Sequence, residues 1–198
     1  MKFPLVSFLL FIGISAFCQD SFILKRDGSR IDFQKNSIQI IMQDKILSYK
    51  SMSGSQKDID FKDVDQAFFG NYKFKYFKFK ENKSSNCYFV LSESDKHTLI
   101  CLGVPISVDE DESANVKIKY EMYILDKQNL VVDSLTFSNQ NNANGATARS
   151  LISEKIAAYF KTCDNLMTRF ADFEKLEESQ YMGLVGFFRV PNFVSCVN

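Results

Sequence analysis

The sequence predicts an α+β fold: an antiparallel β-sheet or partly closed β-barrel followed by one long C-terminal amphipathic helix. Three observations carry that prediction. Between Phe22 and Phe137 apolar and polar side chains alternate with period two, the pattern of half-buried strands. Beyond Thr147 the apolar spacing changes to alternate steps of four and three, the pattern of a helix with one buried stripe. A polar stretch, NQNNANG from Asn139, separates the two regimes and reads as a linker over 139–146. Twenty Phe and eight Tyr with no Trp supply the packing volume.

The strands follow in order. FILKRDGSRIDF carries Asp27-Gly28, a two-residue hairpin signal because both positions tolerate positive φ, and it would pair Leu24 with Ile31 and Phe22 with Phe33. SIQIIM puts Ile38, Ile40 and Met42 on one side, and a break at Gln43 to Lys45 leads into ILSYK. Ile59 and Phe61 then alternate with Asp58 and Asp60. In NYKFKYFKFK, Tyr72, Phe74 and Tyr76 alternate with Lys73 and Lys75 before the phase slips at Phe77, so a β-bulge or strand break is expected at Tyr76-Phe77. A hairpin spans Cys87 to Gly103. After a charged loop at Asp109 to Glu112, VKIKYEMYI and LVVDSLTF are two further strands joined by a turn at Asp126 to Asn129. The β region is expected to occupy 19–138.

The helical stripe is Ile152, Ile156, Tyr159, Cys163, Leu166, Phe170 and Phe173, giving one helix over 147–178 that packs on the sheet. Unbroken, it would run about 45 Å. The remaining tail, 179–198, is apolar, and Pro191 limits it to an edge or irregular strand.

The N-terminus has one cation at Lys2, an apolar run from Leu5 to Phe17, and its first acid at Asp20. That run is shorter than the roughly 20 residues needed to span a bilayer and reads as a signal peptide over 1–18. Ala16 favours cleavage after Cys18. Lipidation at Cys18 is the alternative, although bulky Phe17 stands where the lipoprotein enzyme expects a small residue. Export across the inner membrane follows as an expectation, to the periplasm, the outer membrane or the exterior. Without Lys2 the chain holds 23 basic residues against 24 acidic ones, so no global field attracts nucleic acid. No further apolar stretch is long enough for a transmembrane span.

Four cysteines then remain, Cys87, Cys101, Cys163 and Cys196, in a compartment that permits disulfides. If the hairpin turns at Ser94, Cys87 and Cys101 lie opposite each other and a bridge is possible; two small core residues is the competing reading. A Cys163–Cys196 bridge would tie the tail to the helix.

No catalytic signature is present, and no cofactor is expected. The one histidine, His97, stands near a hairpin tip, where a hydrolase would need a partner for it and a solvated residue would not. Asp58, Asp60, Asp63 and Asp65 cluster as calcium ligands do, but Lys62 breaks the EF-hand pattern and an outward strand face explains them equally. Lys73, Lys75, Lys78 and Lys80 among aromatics resemble a polyanion-binding strand; lysines guarding an exposed sheet edge or face give the same pattern.

FILKRDGSRIDF, KDIDFKDVDQAFFGNYKF and the late YFKTCDNL together resemble a group of uncharacterised secreted β-rich proteins of Bacteroidetes-type bacteria. The likeness covers about half the chain and departs from the group around Cys163, where Thr162 and Asp164 stand. It implies a bacterial envelope protein with no assigned activity, and it carries over no functional residues. The expected function is a non-enzymatic binding or structural module with an envelope protein, a glycan or an apolar ligand as partner. A carrier with an apolar ligand in a Phe-rich β cavity, and a hydrolase using His97, are the alternatives.

Overall fold

β1 (Phe22–Lys25) and β2 (Arg30–Asp32) form the hairpin that Asp27-Gly28 predicts, but in a different register. Gly28 alone adopts positive φ, at 84°, and the Lys25 N–H donates to the Ser29 carbonyl at 2.8 Å. The loop therefore holds three residues, Arg26 to Gly28, which moves the pairing to Ile23↔Ile31 and Leu24↔Arg30. Ile23, not Phe22 and Leu24, is the fully buried residue of the strand.

The computed structural model describes residues 21–79, 85–105, 118–138, 145–174 and 182–196. The expected signal peptide with Cys18, the charged loop at 109–112, Lys80 and linker positions 139–144 lie outside the described residues.

β3 (Gln39–Ile41), β4 (Ile46–Lys50) and β5 (Gln56–Asp60) form a small antiparallel sheet of their own. Its inward residues Leu47, Tyr49 and Ile59 join a core cluster with Phe61, Phe74, Phe77 and Tyr88. A 3-10 turn at Phe61–Asp63 then leads the chain into the large sheet.

That sheet contains β6 (Val64–Phe69), β7 (Tyr72–Lys78), β8 (Ser85–Glu93), β9 (His97–Pro105), β10 (Ile118–Asp126) and β11 (Val131–Ser138). Its order is β11-β10-β9-β8-β7-β6-β1-β2, with each of these neighbours antiparallel. Among the described residues β11 and β2 do not pair, so this is an open sheet and no barrel closure is present. β7 lies inside the sheet between β6 and β8, so its lysines guard no edge. Its register against β8 is unbroken from Lys73 to Lys78, and the bulge expected at Tyr76-Phe77 is absent. Both sides of the strand are covered there: Phe77 packs with Phe79 and Tyr88, while Arg26 lies 5.1 Å over the Tyr76 ring. A strand covered on both faces has no need to keep strict alternation. An irregularity does occur in β8, between Val90 and Ser92.

The C-terminal half departs from one long rod. α1 (Gly145–Phe160) and α2 (Asp164–Glu174) are separated at 161–163, and the tail contains α3 (Met182–Arg189) before the short β12 (Val194–Ser195). The Cys163 N–H donates to the Phe160 carbonyl, and the Cys163 carbonyl accepts from Met167, so one helix closes as the next opens. Thr162, Asp164 and Asn165 are poor helix-interior residues, which locates the break. The apolar stripe survives it. Ile152, Ile156, Cys163, Leu166 and Phe170 are buried with Leu99, Met122 and Ile124 of the sheet, while Tyr159 and Phe173 are half-buried. The helices cover the sheet in three pieces, where one helix followed by a strand-like tail was expected.

Candidate functional site

The C-terminal segment crosses the tip of the β6–β7 hairpin and borders an apolar cleft there. Gly70, at φ 57°, and Asn71 form a two-residue loop that sets Phe69 opposite Tyr72, their rings 5.5 Å apart. After α3 the chain passes Pro191, forms a bridge between Asn192 and Tyr72, and donates the Phe193 N–H to the Asn71 carbonyl at 2.7 Å. β7 pairs with β8 only as far as Val90, which leaves an edge of β8 at Ser92 and Glu93 that β12 fills in parallel.

Two neighbouring recesses, the two lobes of this site, each have Tyr72 in their wall. The first, about 260 Å³, lies between the sheet and α3 and is walled by Phe69, Phe89, Gly103, Ile118, Tyr120, Phe188 and Pro191, with Arg189 as its one charged residue. The second, about 570 Å³, is walled by Phe22, Phe68, Asn71, Arg169, Asn192 and Phe193. Gly103 lets two walls of the first lobe pack close to the β9 backbone, for a Cβ there would stand 3.1 Å from the Tyr120 ring and 3.2 Å from the Ile118 side chain. A glycine inside a strand is unfavourable for the strand itself and marks a place where space beside the backbone matters.

The polar group of the second lobe is Arg169, on α2. Its guanidinium donates to the carbonyls of Asn192 at 2.5 Å, Val190 at 2.5 Å and Phe187 at 3.4 Å, and it lies 4.7 Å over the Phe187 ring. These contacts cap the C-terminal end of α3, where a cation also suits the helix dipole. Among the described residues no carboxylate lies within 4 Å of it. Burial draws the Arg169 guanidinium down from its ordinary value, and the nearby Tyr72 opposes that.

The residues singled out by sequence are placed elsewhere or otherwise engaged. Lys73 is buried, pairs with Glu93 at 2.5 Å and lies 4.8 Å over the Phe193 ring, so it braces the tail. Lys75 is half-buried against Phe77 and Lys78 is exposed, so the described lysines do not present one common surface. Asp58 accepts from the Ser48 hydroxyl at 2.5 Å, and Asp60 pairs with Lys62 at 2.7 Å. Asp58, Asp60 and Asp63 border a shallow polar cleft together with Lys25, while Asp65 lies on β6. Among the described residues no group of three His, Cys, Asp or Glu side chains could hold a metal ion.

Cys163 and Cys196 are disulfide-bonded, with Cα atoms 5.1 Å apart. Cys87 and Cys101 are free and buried, because the register places Phe89 opposite Cys101. Burial pushes both thiols far above their ordinary range. The His97 ring packs edge-on against Tyr159 at 4.9 Å, and among the described residues its buried Nδ1 has no hydrogen-bond partner.

Tyr72, Gly103, Arg169 and Phe193 were not foreseen as a group. Gly103 interrupting the apolar run of β9, and Arg169 between buried Leu166 and Phe170, were the available signals. No family model, curated protein or solved structure matches this chain.

Proposed function

We propose that this protein is a non-enzymatic binding module that holds an apolar small molecule in the aromatic cleft between the sheet, α3 and the C-terminal segment. The observation that carries this reading is the pair of recesses of about 260 and 570 Å³ that share Tyr72 as a wall and are lined mostly by rings. Concave, mostly apolar sites of this size are where small ligands bind. The ligand seat is this open cleft, while one core of the sheet is filled by Phe61 and Phe74 and the other, under the helices, by Leu91, each at most 2 % exposed. Gly103 sets the position of the Tyr120 and Ile118 walls, since a side chain there would crowd both.

Export belongs to the same proposal. The apolar run from Leu5 to Phe17 and the Cys163–Cys196 bridge both suit a protein that leaves the reducing cytoplasm for the periplasm, the outer membrane or the exterior. Among the described residues no helix is long and apolar enough to cross a membrane.

The test is titration with the neutral fluorophore N-phenyl-1-naphthylamine, whose emission rises in apolar surroundings. The unaltered protein is expected to bind it saturably. Tyr72→Ala and Gly103→Val should each weaken binding about tenfold, and Val132→Ser, on the exposed face of β11, should leave it unchanged. Absence of saturable binding, or identical binding by Tyr72→Ala, overturns the reading.

A further inference from the structure

Arg169 gives the second lobe a chemistry that its rings do not. A guanidinium has five N–H donors, and here three bonds go to backbone carbonyls, leaving Nε–H and one Nη1–H without an acceptor among the described residues. All three acceptors are neutral, so they satisfy hydrogen bonds without balancing the charge. Lys73, packed against Phe193, is already balanced by Glu93, and Arg189 lines the first lobe rather than this one. Arg169 is thus a half-buried positive charge, bordered by Phe187 and opening onto Phe22, Phe68 and Phe193, with no described carboxylate in reach. Moving a charge out of water into such surroundings is unfavourable until an opposite charge joins it.

We infer that the ligand of this cleft is a fatty-acid-like carboxylate, its head at the Arg169 guanidinium and its apolar body along Phe22, Phe68, Tyr72 and Phe193. The inference rests on the binding-module reading and adds the class of ligand. Charge complementarity selects an anion, since the wall of this lobe contains one guanidinium and no Asp or Glu. The number of free donors selects a head with one charge and two oxygens. A phosphate, carrying more charge and three acceptor oxygens, would call for further cations that the lobe does not supply.

The experiment compares dodecanoate with dodecanol as competitors for bound N-phenyl-1-naphthylamine, on the unaltered protein and below micellar concentrations. Dodecanoate should displace the fluorophore at least tenfold better than dodecanol, and the advantage should shrink in high salt. Because only the ligand changes, loss of the fold cannot imitate the result. Arg169→Gln should then abolish the preference, while Arg169→Lys keeps part of it; circular dichroism and melting of each variant confirm that the tail remains in place. Equal displacement by acid and alcohol, or better displacement by dodecyl phosphate than by dodecanoate, overturns the carboxylate inference and leaves the binding module standing. Failure of the fluorophore to bind overturns both.

Discussion

Lys73 shows how far one side chain can depart from what its neighbours suggest. Alternation with Tyr72, Phe74 and Tyr76 assigns it to the face opposite the rings but says nothing about what covers that face. The structure covers it with Phe68 and Phe193 and pairs the ammonium with Glu93, the side chains being 10 % and 27 % exposed. Removing one member of such a pair strands the other charge, a larger penalty than losing an exposed ion pair. Lys73→Met should therefore lower stability by about 2–3 kcal/mol in urea unfolding, and Lys73→Met combined with Glu93→Gln should recover at least half of that loss. An unchanged midpoint in the single variant would show that the pair is solvated. The two free cysteines make a second test at this scale. Cys87 and Cys101 are buried and their thiols are held protonated by burial, so the folded chain beginning at Gln19 should not react with a thiol reagent at neutral pH. The same chain unfolded in guanidinium without reductant should titrate two thiols, since Cys163 and Cys196 are joined.

At the level of elements, the periodicities were legible and the punctuation was not. The period of two located most strands of both sheets but not β6, whose VDQAFF does not alternate, and most residues of the helical stripe are buried. The break at 161–163 escaped notice because a three-residue interruption keeps Cys163 on the same side as Ile156 and Leu166. The register of the first hairpin escaped because Asp-Gly specifies a turn without fixing whether two or three residues form its loop. α3 was obscured by its length and composition, for MGLVGFFR is eight residues, mostly apolar with two glycines, and so short an apolar run reads equally as a strand. The cleft was least legible of all, since its walls come from β1, β6, β7, α2 and the tail, segments separated by up to the whole chain. What holds those segments together is the Cys163–Cys196 bond, which spans 33 residues and fastens the α1–α2 junction to the strand beside β8. Closing a loop of that length in the unfolded chain is worth roughly 3–4 kcal/mol. Cys163→Ala with Cys196→Ala should therefore lower Tm by about 8–15 °C. Binding of N-phenyl-1-naphthylamine should weaken with it, because Asn192 and Phe193 form one wall of the cleft. A bridge-free variant with unaltered melting would mean that β12 and the Arg169 contacts anchor the tail unaided.

For the molecule as a whole, the many phenols and thiols of an aromatic-rich core couple stability to alkaline pH. Desolvation raises Tyr49, Tyr88, Tyr120 and Tyr123 as well as Cys87 and Cys101 above their ordinary values of 10.0 and 9.0. Each is an acid that is neutral when protonated, so the folded chain keeps protons that the unfolded chain has begun to release. Once pH exceeds the ordinary values, the native state binds more protons than the unfolded state, and stability must fall as pH rises. The contribution of these groups is complete below about pH 9 and is lost progressively above it as pH approaches the raised native values. The urea midpoint should thus be nearly flat between about pH 7 and pH 8.5 and decline from about pH 9 to pH 11. Return to pH 8 should restore it, which separates proton release from alkaline damage to the disulfide. Replacing Cys87 and Cys101 by Ala should remove the earlier part of the decline and leave the later part, which belongs to the tyrosines. A midpoint that stays level to pH 11 would place these hydroxyls and thiols in water, and with them the core formed by Tyr49, Tyr88 and Tyr120.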